Sequence, residues 1–228
     1  NLVSVEIPDS VTSMGDKVFL SCISLKTVNL PANLTGIGAQ TFDGCIRLTD
    51  ISIPASVTFI GKRAFADSGI TEIILPVRLS SIENEAFAAS KIVSIVIPDN
   101  VLTIGESAFK NCLELEEVTL PNGLTNIGNN AFFCCGKLKT IIIPSTVTNI
   151  GNYAFYESGL VSVEVPESVT SLSMGVFGDC KSLETVKLPN TITSIGSYAF
   201  ARCTSLAMLS IPESIEEISA WAFAYSNI

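Results

Sequence analysis

The chain has 228 residues, 47% hydrophobic and 15% charged, with a net charge of −9 and no histidine. That composition supports a large buried core and excludes a disordered chain. The acidic balance argues against nucleic acid or an anionic membrane surface as the main partner, because both need clustered Lys and Arg.

One sentence is repeated along the whole chain. The ten prolines stand at 8, 31, 54, 76, 98, 121, 144, 166, 189 and 212, spaced 22 or 23 residues apart. Ten phenylalanines, at 19, 42, 65, 87, 109, 132, 155, 177, 200 and 223, each follow a proline by eleven residues. This lockstep leaves no room for a linker or a second domain, so residues 1–228 read as one solenoid. Coils are numbered 1–10 after their prolines, and positions within a coil are counted from its proline or its phenylalanine.

Each coil opens with apolar residues six, three and one before the proline, as in Leu183, Val186 and Leu188. Alternation at that end predicts a short strand, and the proline ends it by lacking an N–H. An apolar–Thr–x–apolar unit follows, such as Val147-Thr148-Asn149-Ile150. Val, Thr and Ile suit a stacked pleated surface, which predicts a second short strand. A Gly usually comes next; Glu83, Ser173 and Ser219 replace it, so a positive φ is not compulsory there. The Ala-Phe pair is expected to start a short helical turn. One coil cannot bury its own apolar face but stacked coils can, and ten strands roughly 4.8 Å apart give a rod about 45–50 Å long.

The pattern Leu-x-x-Val-x-Ile-Pro-x-x-Val-Thr-x-Ile-Gly-x-x-Ala-Phe-x-x-Cys resembles the BspA-like, or treponemal-type, leucine-rich repeat, and the likeness covers every coil. The resemblance implies a right-handed leucine-rich-repeat solenoid with a parallel β-sheet on the concave face. It also implies a cell-surface or secreted protein, bacterial or from a parasitic protist, that adheres to host proteins or to other cells. It carries no shared catalytic residues. Where the ordinary leucine-rich repeat has a buried Asn ladder, two residues after each proline, this chain has Ser10, Asn33, Ser56, Arg78, Asn100, Gly123, Thr146, Ser168, Thr191 and Ser214. An Asn ladder is therefore not expected.

Six of the seven cysteines lie three residues after a repeat phenylalanine: Cys22, Cys45, Cys112, Cys135, Cys180 and Cys203. Ser68, Ser90, Ser158 and Ser226 stand there in the other coils. Cys accompanies the longer corner and Ser the shorter one, which suggests that Cys fills a small apolar gap and Ser hydrogen-bonds the turn. Adjacent coils could bring Cys22/Cys45, Cys112/Cys135 and Cys180/Cys203 within disulfide range, or hold them as a ladder of buried thiols. Cys134 matches polar residues elsewhere and is expected to be exposed, as an idle surface thiol or an oxidation-sensitive one.

Nothing in the sequence points to catalysis. The lack of His removes Ser-His-Asp and Cys-His arrangements. No phosphate loop or dinucleotide fingerprint is present, no metal-type Cys spacing occurs, and the adjacent pairs Glu116-Glu117 and Glu216-Glu217 are expected to point to opposite faces of a strand. The reading is of a protein with no cofactor and no metal, not an enzyme.

Candidate contact residues are those free to vary. On the first strand, positions five, four and two before the proline face outward and are mostly polar. The position two before turns apolar at Ile74, Val96 and Ile142, with Thr119 between, and would form one stripe; strand propensity alone could also explain it. A second patch is aromatic: Tyr153, Tyr198 and Trp221 stand two before the repeat Phe, with Phe133, Tyr156 and Tyr225 on the same turns. Asn33-Leu34-Thr35 is a glycosylation sequon, weakened because Leu34 is a core position.

No apolar run approaches the roughly 20 residues of a membrane helix, and residues 1–6 hold no signal peptide. Neither end has a polar cap, which suggests a piece cut from a longer array or, alternatively, end-to-end self-association. The leading reading is an interaction module that binds a host-matrix or cell-surface protein through its concave face; a spacer or intracellular scaffold is the alternative.

Overall fold

Every coil has three sides, and on each side its peptide groups hydrogen-bond along the stack to a neighbouring coil. The computed structural model describes residues 1–228. On the first side, three-residue strands precede the prolines and pair in parallel: Ser4–Glu6 with Thr27–Asn29, Ser94–Val96 with Glu117–Thr119, and Ser162–Glu164 with Thr185–Lys187. The middle residue of each strand points to the core and its neighbours point outward. Between these pairs the ladder thins to single bonds, such as Thr71 N–H to the Thr49 carbonyl at 3.0 Å.

The second side is more continuous. Its two-residue strands run in register from Gly36–Ile37 through Phe59–Ile60, the bridging Ile82, Thr103–Ile104 and Asn126–Ile127 to Asn149–Ile150. A second block joins Ser171–Leu172, Ser194–Ile195 and Glu217–Ile218. Between the blocks the repeat Gly is replaced by Ser173, whose hydroxyl donates to the Ile150 carbonyl. In other coils the Gly N–H makes that bond, as Gly151 does to Ile127 at 2.8 Å. The structure also explains the repeat Gly. A Cβ on Gly151 would lie 2.5 Å from the Asn129 nitrogen, so the cause is close approach of stacked backbones and not φ.

The third side departs from the sequence expectation. No helix forms at Ala-Phe. The segment is a run of overlapping β-turns: in coil 3, Ala64 N–H bonds Gly61 C=O and Ala66 N–H bonds Arg63 C=O. The residues two before and two after every repeat Phe have positive φ, eighteen of them non-glycine at 51–63° together with Gly44 and Gly175. A left-handed residue every four positions forbids a helix. It also turns alternate peptides along the solenoid axis. Thus Arg63, Phe65 and Asp67 donate to the carbonyls of Asn84, Ala86 and Ala88 in the next coil, at 3.1, 2.8 and 2.8 Å. The turn side thereby becomes a ladder, and the left-handed residues are what it costs.

Inside, the ten repeat phenylalanines form one column. Successive rings lie 5.3–5.8 Å apart and within 17° of parallel. From Phe42 to Phe200 they are fully buried. In place of an Asn ladder, side-chain hydroxyls bridge coils: Ser56 bonds the Ala32 and Leu34 carbonyls, and Thr146 bonds those of Asn122 and Leu124. The outward threonines of the second strand do likewise, Thr125 to the Leu102 carbonyl at 3.0 Å.

Two outcomes follow from this geometry. Phe109→Ala opens a cavity in the column and should lower unfolding free energy by about 3–5 kcal/mol in denaturant titration. Ala89→Gly, at φ 56°, relieves left-handed strain and should raise stability by roughly 0.5–1 kcal/mol, against the usual sign for glycine.

Candidate functional site

The cysteines lie at the corner between the turn side and the first strand, and all seven are free. Each buried thiol donates to the carbonyl of the preceding coil's phenylalanine: Cys45 to Phe19, Cys112 to Phe87, Cys135 to Phe109, Cys180 to Phe155 and Cys203 to Phe177, at 3.0–3.2 Å. Ser226 makes the same bond to Phe200 at 2.7 Å. Ser90 and Ser158 instead meet the sulfurs of Cys112 and Cys180, and Ser68 is buried without a partner. The expectation that serine bonds its own turn therefore holds only for Ser226, which also reaches Phe223 C=O. Cys134 is half-buried, not exposed, and its thiol donates to Glu157. Burial, reinforced by that carboxylate, pushes it up to about 12, which opposes the thiolate that oxidation requires.

The turn side carries two unlike surfaces. In coils 2–4 it is ionic. Arg63 holds Asp43 with Nε at 2.8 Å and Nη2 at 3.1 Å, and reaches Glu85 at 2.8 Å. The Arg63 hydrogen bond holds Glu85 below the usual carboxylate range. From coil 6 onward the same columns carry aromatic and small residues in place of the charges. Tyr198 and Trp221 stack at 6.4 Å and 4°, Phe133 and Tyr156 at 5.2 Å and 14°, and Tyr153 meets Tyr156 edge-on at 5.7 Å. Tyr153 leans over Gly175: a Cβ there would lie 2.3 Å from its ring. The ring thus fills a place left empty in coil 8. Lys110 sits over Phe133 at 5.2 Å and Arg202 over Tyr225 at 5.7 Å. Phe133, Tyr153, Tyr156, Tyr198, Arg202 and Tyr225 line a groove of about 510 Å³. Trp221 stacks behind Tyr198 and stands outside it. Sequence reading missed Arg202 and the small residues on the groove floor; the signal is that position one after Phe changes from Lys110, Phe133 and Tyr156 to Gly178, Ala201 and Ala224.

On the strand face, Ile74 is 88% exposed, Ile142 86% and Val96 65%. Ile74 and Val96 share a groove of about 750 Å³. Its polar margin includes Glu72, Asp99, Arg78 and Asn100. Ile142 lies in a separate groove beside Val163 and Glu164. Thr119 pairs with Val96 across the ladder but lines neither groove. Val77, 74% exposed, joins Ile74 and Val96. It was legible in principle, because the residue after the proline is polar or alanine in all the other coils.

The BspA type leucine rich repeat region matches residues 1–116 and 103–228, in 6 copies. The chain belongs to this family. A leucine-rich repeat protein from Bacteroides ovatus is 24% identical over 98% of this chain and 84% of its own, with a TM-score of 0.63. A leucine rich cell surface protein from Faecalibacterium prausnitzii is 28% identical over 98% and 70%, with a TM-score of 0.59. The pneumococcal vaccine antigen PcpA is 22% identical over 95% and 62%, also with a TM-score of 0.59. No curated protein matches the chain. No helix is long and apolar enough to cross a membrane.

The thiol ladder has a pH consequence. Burial pushes Cys45, Cys112 and Cys180 from 9.0 up to about 11. The folded state holds these protons more tightly than the unfolded one, so their contribution is complete below pH 9 and lost as pH rises toward 11. Denaturant midpoints should therefore fall across that window. Cys45→Ser/Cys112→Ser/Cys180→Ser should show a smaller fall.

Proposed function

We propose that the chain is a non-enzymatic protein-interaction module, a recognition rod displayed at a cell surface or secreted. Its partner is a host-matrix or cell-surface protein that docks on the strand face. The observation that carries this reading is the exposed cluster of Ile74, Val77 and Val96 in one groove. Stacked coils bury apolar residues at every inward position, and these three are turned outward together on a face whose other residues are mostly polar or charged. An apolar centre within a polar margin is the anatomy of a protein interface. Charge gives the partner's chemistry: Asp50 and Glu72 stand on the same face, Glu116 and Glu117 are both exposed there rather than turned to opposite faces, and the chain is acidic overall. A segment with aliphatic side chains flanked by Lys or Arg is complementary. Surface display is supported by the family and by the likeness to the Faecalibacterium prausnitzii cell surface protein.

The test is capture on immobilised matrix proteins by wild type, by Ile74→Glu/Val96→Glu and by Ile142→Glu. All three sites are exposed, so the variants should melt with the wild type. The double variant should bind at least tenfold more weakly, and Ile142→Glu, in its separate groove, should lose less. Equal binding by the double variant sinks the strand-face reading. Absence of binding by wild type favours a rod that spaces other domains.

A further inference from the structure

We infer that the trough on the turn side of coils 9 and 10, walled at one end by Tyr153 and Tyr156, is a binding site for an acidic, proline-rich peptide segment in the polyproline II conformation. The site is separate from the strand face and does not depend on that reading.

The trough comes from one column. Position one after the repeat Phe carries Lys110, Phe133 and Tyr156 in coils 5–7, then Gly178, Ala201 and Ala224 in coils 8–10. Three large side chains give way to three small ones; the Tyr156 ring lies over Gly178, where a Cβ would meet it at 2.9 Å, so the open channel begins at Ala201. Tyr153 and Tyr156 close it at one end. Tyr198 flanks one edge, and Arg202 and Tyr225 flank the other, in the columns two before and two after Phe. At roughly 4.8 Å per coil the two open floor positions, Ala201 and Ala224, span about 5 Å, which seats about two residues of a polyproline II helix at about 3.1 Å each.

The chemistry of the walls selects the occupant. The hydroxyls of Tyr153, Tyr198 and Tyr225 have no partner within the chain. Tyr156 alone donates inward, to Asp179 Oδ2 at 3.2 Å. The Asp179 side chain is only 4% exposed. Its Oδ1 accepts no hydrogen bond; the exposed Lys181 ammonium lies 3.1 Å away, outside hydrogen-bond geometry. Asp179 thus orients the Tyr156 ring and stays out of the trough. The one charged side chain that lines the trough is Arg202, backed by Asp179 at 3.8 Å and held against the Tyr225 ring. The lining therefore offers hydroxyl, guanidinium and amide donors beside aromatic rings, and no carboxylate. A proline-rich segment is the counterpart. Its backbone presents carbonyl acceptors with few N–H groups, its pyrrolidine rings pack on aromatic surfaces, and it is already extended, so little entropy is lost on docking. A carboxylate in that segment meets Arg202. A glycan would also find acceptors in the tyrosine hydroxyls and the Asn130 amide oxygen, and the oligosaccharide comparison below separates the two.

The probe is the capped peptide Pro-Pro-Glu-Pro-Pro-Glu-Pro-Pro, titrated calorimetrically into the whole chain, with its Glu→Gln and Pro→Ala versions and a cello-oligosaccharide as comparison ligands. Wild type should bind the first peptide saturably and the Pro→Ala version at least tenfold more weakly. Ala224→Phe places in coil 10 the residue that coil 6 already carries there, so it should fold normally, fill the trough and weaken binding at least tenfold. Tyr198→Ala should do the same. Arg202→Gln should bind the Glu and Gln peptides alike. Ile74→Glu/Val96→Glu should bind as wild type does. No saturable binding, equal binding by Ala224→Phe, or preference for the oligosaccharide would overturn the assignment.

Discussion

The constraint on which this molecule rests is that every coil must turn its peptide groups along the stack. Strands do this without help on two sides. The corner around Ala-Phe cannot, because a chain reversing direction ordinarily points its carbonyls sideways. The solution is a left-handed residue two before and two after each phenylalanine. It reverses alternate peptides, so that the corner bonds to the next coil as the strands do. Non-glycine residues resist that conformation by roughly 1–2 kcal/mol each. The bonds of Phe and its neighbours to the next coil hold them there, because an unmade buried hydrogen bond costs a comparable amount. The phenylalanine then sits between two reversals with its ring turned inward, and the parallel column of rings follows from the backbone below it.

Much of this architecture was written in the sequence, and what was missed has a common cause. Leu183, Val186, Leu188, Pro189, Ile192, Ile195 and Phe200 mark a strand, a stop, a second strand and a core plug, and the structure has each of them. The helical turn was wrong because Ala-Phe followed by polar residues fits helix propensity locally. The evidence against it is distributed: Lys17, Gln40, Tyr153 and Trp221 share no chemistry that favours positive φ, so only stacking enforces it. Propensity reports what one coil would do alone, and one coil alone does not fold.

The candidate contact residues were legible as exceptions to the repeat. Ile74, Val96 and Ile142 stood out because their column is polar elsewhere, and the structure leaves all three exposed. The sequence could not show that Ile142 lies in another groove, since equivalent positions in a repeat look equidistant. Val77 and Arg202 were passed over because each is unremarkable by type and informative only beside its neighbours. The aromatic patch was visible as Tyr153, Tyr198 and Trp221, yet what shapes it is the loss of side chains at Gly175, Gly178, Ala201 and Ala224.

That contrast bears on how a repeat of this kind acquires distinct surfaces. The inward positions repeat because each must fit the coil above and the coil below, so no single one can change without strain in two neighbours. Outward positions carry no such obligation, and the same two columns hold an Arg63–Asp43–Glu85 network near one end and the stacked pairs Phe133–Tyr156 and Tyr198–Trp221 toward the other. A groove arises whenever consecutive coils lose bulk in one column while adjacent columns keep it. In coil 8, Gly175 removes a side chain at a left-handed position that tolerates glycine best, and Gly178 removes its neighbour on the next face. Tyr153 and Tyr156 fold over the vacancy and close one end of the trough, while Tyr198 stands up beyond it. A groove is thus built into the repeat by subtraction, at the cost of no core contact.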